Sequence, residues 1–208
     1  MWPAVLTWRA HDVSRIESTR VQLSGNRIKA IGRIAAAASD KHPAFSASYD
    51  LVTDDNGATK RLSLNVSTAE RDRQLSIARD EENMWLITDH EGDSRAAFGG
   101  AMDVDMVLSP FFNALPIRRV GVHRSCETVM VPVVYVYLPD LTVEAAEITY
   151  TGSGDGAVEL KSPVAQTTVI VDDDGFVIDY PGLAERIGSP RRPVRRRPVL
   201  PASSVHRG

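Results

Sequence analysis

"TVMVPVVYVYLPD", residues 128–140, decides the fold class. Val129, Val131, Val133, Tyr135 and Tyr137 fall on one face of an extended chain, and Met130, Pro132, Val134, Val136 and Leu138 on the other. β-branched and aromatic residues at this density fit a pleated surface and mark a strand. Because both faces are apolar, the strand is expected to be covered on both sides. Pro132 donates no ladder hydrogen bond, so it requires a bulge or an unpartnered side.

Downstream the β pattern continues through "LTVEAAEITYTG", "AVELKS" and "AQTTVIVDDDGFVIDY", with Asp174-Gly175 as a hairpin turn. "PGLAERIG", residues 181–188, reads as a short C-terminal helix. Upstream, Val21 and Leu23 precede "SGN", after which Ile28, Ala30, Gly32 and Ile34 alternate with polar or basic neighbours. A second hairpin turns at Asn56-Gly57, between Phe45, Ala47, Tyr49, Leu51 and Leu62, Leu64, Val66. A third turns at Asp80 to Asn83 and sets Trp85 and Ile87 on one face. The chain therefore reads as mainly β: two antiparallel meanders with one interruption between them.

The interruption is "SPFFNALPIRRVG", residues 109–121. Ser109 suits an N-cap and Pro110 the first helical position. On helical spacing Phe111, Phe112 and Leu115 form one broad apolar face. Arg118 and Arg119 near the C-terminal end complement the helix dipole, and Pro116 is expected to bend or end the helix early. Such a segment either plugs the core of a curved sheet or lines one wall of a cavity.

The chain of 208 residues is long enough for one domain with a full core, expected over residues 1–189. Net charge is −3, but the charges are segregated. Residues 190–208 hold six arginines and no acid and include four prolines, which leaves −9 on the rest. That tail is expected to be disordered and solvated, with weak contact to an anionic surface as its functional reading. An acidic body argues against nucleic acid as the main ligand. No stretch approaches the roughly 20 apolar residues of a membrane-spanning helix, and the first residues lack a secretory pattern, so the expected location is the cytoplasm.

Catalytic and metal motifs are weak. The single cysteine, Cys126, excludes an intramolecular disulfide or a thiolate cluster and reads as a buried or inert thiol. His11, His42, His90, His123 and His206 are scattered, without the spacing of a zinc site. "TGSGDG" at 151–156 is a polar loop between strands rather than a nucleophile elbow, and it lacks the Lys of a phosphate-binding loop. Asp172-Asp173-Asp174-Gly175 invites a calcium reading, but Ile170 stands at the first ligand position and no Glu closes the loop. No metal and no cofactor is expected, and the balance is against an enzyme.

Three motifs carry a family resemblance. "DVDMVLSPFFNALPIRRVG", "VVYVYLPDLTVEAAEITYTG" and "DDDGFVIDYPGLAERI" occur in order over residues 103–187, and Trp8-Arg9 also fits. Together they resemble the bacterial putative glycolipid-binding protein family. The resemblance implies a curved antiparallel sheet or half-barrel wrapped around a short central helix, and a lipid or glycolipid as partner. In this chain the family's Thr-rich Pro-Phe-Thr-Asn-Thr is Pro110-Phe111-Phe112-Asn113-Ala114. Its Gln-Arg before the Tyr-Thr pair is replaced by Ile148 and Thr149. Both departures point to a more apolar ligand.

The expectation is non-catalytic binding in an apolar cavity. Phe111, Phe112, Leu115 and Ile117 would form its wall, Arg118 and Arg119 its mouth, and Tyr135 and Tyr137 would complete the ligand-binding set. Two rival readings stay open: a hydrolase or isomerase acting on a small apolar substrate, and a structural protein with a filled core. Arg118 or Arg119 could equally pair with Asp103 or Asp105 to fasten the helix to the sheet.

Overall fold

The computed structural model describes residues 3–188, so the reading of residues 190–208 as a disordered tail falls outside the described residues. Eight strands come first, each antiparallel to the next: β1 (Ala4–Ala10), β2 (Arg15–Ser24), β3 (Arg27–Ala36), β4 (Phe45–Thr53), β5 (Thr59–Thr68), β6 (Asp72–Arg79), β7 (Trp85–Asp89) and β8 (Gly92–Ala96). After β9 (Asp103–Met106) comes α1 (Ala114–Val120), the one α-helix among the described residues. A second meander follows: β10 (Thr128–Val136), β11 (Val143–Gly152), β12 (Ala157–Lys161), β13 (Gln166–Val171), β14 (Val177–Tyr180) and β15 (Ala184–Ile187).

All fifteen strands form one sheet in the order β8-β7-β6-β5-β4-β3-β2-β1-β15-β14-β13-β12-β11-β10-β9. The last strand therefore joins the two meanders, pairing antiparallel with both β1 and β14. This corrects the helix expected over 181–188. A turn through Gly182, at φ 79°, is followed by a strand, because the edges of β1 and β14 both require a partner and eight residues form a poor isolated helix.

The sheet curves until its two limbs meet without closing. Thr59 N–H donates to Met102 O at 2.8 Å, and the Trp85 indole N–H donates to Ala101 O at 2.9 Å. Both bonds tie the segment entering β9 to the far limb. β9 pairs parallel with β10, from Val133↔Asp103 to Val136↔Met106. Pro132 lies just before that pairing begins, so its missing N–H leaves no ladder bond broken on that side.

Two apolar cores result. The first holds Trp8, Tyr49, Leu51, Leu64, Trp85, Phe111 and Phe112; the second holds Val133, Tyr135, Tyr150, Leu160 and Val169. β10 is buried on both faces from Val133 onward, where Val134 and Val136 enter the first core and Val133 and Tyr135, with Val131 before them, the second; at its start Met130 is exposed, so the expected cover on both sides does not reach the whole strand. α1 likewise sends Leu115 into the first and Ile117 into the second.

α1 begins later than its capping signals indicate. Residues 110–113 form turns, and Ser109 Oγ is drawn away to Glu17 instead of capping. Pro116 consequently sits in the first helical turn, where an N–H would have no intrahelical partner, and it neither bends nor ends the helix. The helix stops at Gly121, at φ 70°.

Candidate functional site

The inward face of β2 is polar at its start: Arg15, Glu17 and Thr19 are buried in register with Val21. Glu17 Oε1 accepts from the Tyr49 hydroxyl at 2.6 Å and from the Ser109 hydroxyl at 2.7 Å, and Tyr49 OH bonds Thr19 Oγ1 at 2.6 Å. Burial pushes the Glu17 carboxyl up to about 7, although Tyr49, Ser109, Arg15 and the nearby Phe111 amide all favour the charged form. Burial and the Glu17 charge push the Tyr49 phenol well up, so it donates to Glu17 rather than ionising.

A second buried carboxyl holds the other end of the same turn. Asn113 Nδ2 donates to Asp105 Oδ2 at 2.7 Å. Burial again pushes Asp105 up to about 7, against the help of the Met106 amide and Asn113. The residues between these anchors carry the aromatic cluster. Phe111 stacks on Tyr49 at 5.9 Å and on Phe176 at 6.1 Å, meets Phe112 edge-on at 5.4 Å and lies 6.4 Å from Trp8. Neither phenylalanine is exposed. Rings in such arrangements add roughly 0.5–1.5 kcal/mol per pair beyond their buried area.

The eight expected ligand residues are not brought to one surface. Phe111, Phe112 and Leu115 lie in the first core, Ile117 and Tyr135 in the second. Tyr137 is half-buried and meets Tyr135 edge-on at 5.3 Å. Arg119 grips the buried Asp103 through Nε and Nη2, at 2.9 and 2.6 Å to Oδ2, and so fastens the helix to β9. Arg118 donates to the Asp174 carbonyl and its guanidinium lies 5.1 Å above the Phe176 ring. Three surface depressions, of about 370, 170 and 150 Å³, lie beside Ser63 and His90, beside Arg20 and Asp50, and beside Pro43 and Pro139; none of the eight residues lines them.

Sequence reasoning missed the roles of Glu17, Tyr49 and Asn113, and it read Asp105 only as a partner for Arg118 or Arg119, whereas its side-chain partner is Asn113. The available signal was the inward register of "RIESTRV", where Arg15, Glu17 and Thr19 occupy positions that strand alternation assigns to the core. Cys126 is exposed, not buried. Among the described residues no helix is long and apolar enough to cross a membrane.

Comparison with known proteins agrees with this architecture. The crystal structure of a DUF1089 family protein from Pseudomonas aeruginosa is similar, with a TM-score of 0.68 over 86% of this chain and 95% of that one. At 23% identity that likeness is one of fold. No curated protein sequence matches. The profile described as "Putative glycolipid-binding" matches residues 5–186, from β1 to β15. With the match running from the first strand to the last, the chain belongs to the putative glycolipid-binding family.

Proposed function

We propose that this protein binds a lipid or glycolipid without catalysis, in an apolar cavity that opens along α1 inside a half-barrel formed by the curved sheet. The observation that carries the reading is the construction of residues 109–120. This apolar segment is bounded by two residues in the left-handed region, Leu108 at φ 74° and Gly121 at φ 70°. Its entry turn is latched at both ends, Ser109 to Glu17 and Asn113 to Asp105. A turn latched to buried carboxylates can leave the aromatic cluster as a unit and admit an acyl chain in place of Phe111 and Phe112. Each CH₂ then buried contributes about 0.8 kcal/mol, which offsets the ring stacking that is given up. Phe111, Phe112 and Leu115, displaced with the turn, form one wall of the space it leaves, Ile117, Tyr135 and Tyr137 flank that space from the second core, and the half-buried Arg118 and Arg119 stand at the mouth. The single domain of residues 1–189 suffices for this, with the basic tail adding contact to an anionic surface.

Contact quenching tests the location. With Trp2→Phe and Trp85→Phe, Trp8 is the one remaining tryptophan, and its ring packs on Phe111. A brominated fatty acid is expected to quench its emission saturably. Binding without quenching would place the chain elsewhere.

A second reading, an isomerase or hydrolase acting on an apolar substrate in the same space, draws on Glu17. A carboxyl near 7 beside a phenol is poised for general acid–base work. Under that reading Glu17→Gln abolishes turnover; under carriage there is no turnover to lose, and the variant changes the latch on Ser109 and the stability.

A further inference from the structure

The outward face of β1, β2 and β3 lacks the purely polar cover of a solvated sheet. Val5, Ile16 and Ile31 stand 64%, 44% and 54% exposed on it. Cations interleave with them. Val5 is the register partner of Arg20 and Arg20 of Ile31, while Lys29 and Arg33 flank Ile31 at two residues' distance, on the same face of β3. Cross-strand neighbours lie about 4.5–5.5 Å apart, so these side chains form one continuous patch. Single exposed aliphatics need no explanation, but three on one face among three cations do.

The charges of this patch are unmatched. Arg20, Lys29 and Arg33 are exposed, and none has an ion-pair partner among the described residues. By contrast Arg9 is matched by Glu185, Arg95 by Asp80 and Glu82, and Arg186 by Asp172. Asp50, the acid that faces Ile31 from β4, is itself matched by Arg61 at 3.6 Å. A depression of about 170 Å³ lies among Arg20, Lys29, Ile31, Asp50 and Arg61. The body outside the arginine-rich tail carries −9, so free cations gathered on one face run against the overall balance.

We infer that this outward face docks the protein on the surface of an anionic lipid bilayer. The inference goes beyond the lipid-binding reading, because it concerns the outside of the sheet and needs no interior cavity. Screening over about 8 Å makes the local charge, not the net charge, decide such a contact. Arg20, Lys29 and Arg33 meet lipid phosphates, and Val5, Ile16 and Ile31 sink among the headgroups. A second copy seated on the same face would bring unmatched cations together. Nucleic acid would engage the cations but leave the aliphatics without a role, and none of the six side chains is an aromatic on which a base could stack.

Sedimentation of the full chain with vesicles of phosphatidylcholine, alone or mixed with phosphatidylglycerol, tests the docking face. The mixed vesicles are expected to bind more strongly, and less so as salt is raised. Each basic side chain at an anionic surface is worth about fivefold in partition, so Arg20→Ser with Lys29→Ser and Arg33→Ser should lower binding about 100-fold. The melting temperature should hold, since all three are exposed. Arg195→Ser with Arg196→Ser and Arg197→Ser removes the same charge from the tail and should cost under about tenfold. Ile16→Ser with Ile31→Ser, at constant charge, should cost at least about fivefold. Equal binding to both kinds of vesicle would overturn the docking face, as would a tail variant that loses as much as the sheet variant. Undiminished binding in the isoleucine variant would overturn the seating of this face in the headgroups. Duplex DNA bound more tightly than vesicles, and lost in the sheet variant, would overturn the proposal in favour of nucleic acid. Each of these outcomes leaves the interior cavity to its own test, because no substituted residue points inward.

Discussion

Glu17 and Asp105 are buried carboxyls that hold opposite ends of one aromatic turn, and both have been pushed up to about 7 by burial. Their effect on stability has a definite sign. A raised carboxyl binds its proton more tightly in the folded chain, so its favourable contribution is complete below the ordinary value near 4 and is lost as pH rises through 7. Each shift corresponds to a change on the order of 3 kcal/mol. His123 works the other way: burial, with Arg124 beside it, lowers its pKa, so it favours folding as pH rises past the usual imidazole range. The two carboxyls outweigh it. Urea midpoints are therefore expected to fall between pH 5 and pH 8, and Glu17→Gln should flatten about half of that slope. A midpoint that rises over the same range would mean that both groups are ionised and satisfied.

At the scale of elements, the close approach of β11 to the turn after α1 fixes where the helix ends. A Cβ on Gly152 would stand 2.0 Å from Val122 O and 2.4 Å from Ser125 O, both backbone atoms with little room to move. Gly152→Ala is expected to cost at least about 3 kcal/mol, at the upper end for overpacking, as read from urea unfolding. A loss under about 1 kcal/mol would show that this seam is loose. The strands were legible in sequence because their alternation is strict; Phe45 to Leu51 and Leu62 to Val66 alternate in the sequence and in burial alike. α1 was legible as a helix but not in its boundaries. Ser109 looks like an N-cap from its neighbours alone, and the partner that claims its hydroxyl, Glu17, lies 92 residues away. The last segment misled for the same reason: "PGLAERIG" has helical composition, and only the open edges of β1 and β14 make it a strand.

Across the whole molecule the two meanders share one sheet, and the seam between their cores holds α1 and its entry turn. Composition read β10 as covered on both faces, which holds from Val133 onward but not at the exposed Met130; it could not show which core lies on each face, since β9, its parallel partner, comes from before the helix. The aromatic half of the candidate site could be read from the Phe111–Phe112 pair. Its polar half could not, because Glu17 reaches Ser109 from 92 residues away and Asp105 meets Asn113 only once the turn before α1 folds back on β9. If the interior of this sheet carries a lipid, the protein purified from its own host should retain it. Native mass spectrometry followed by organic extraction reads this out. The prediction is a copurifying mass that is lost on denaturation and recovered in the extract as a lipid or glycolipid. A bare polypeptide mass that takes up no added lipid would contradict it and leave Phe111 and Phe112 as the packing of a filled core.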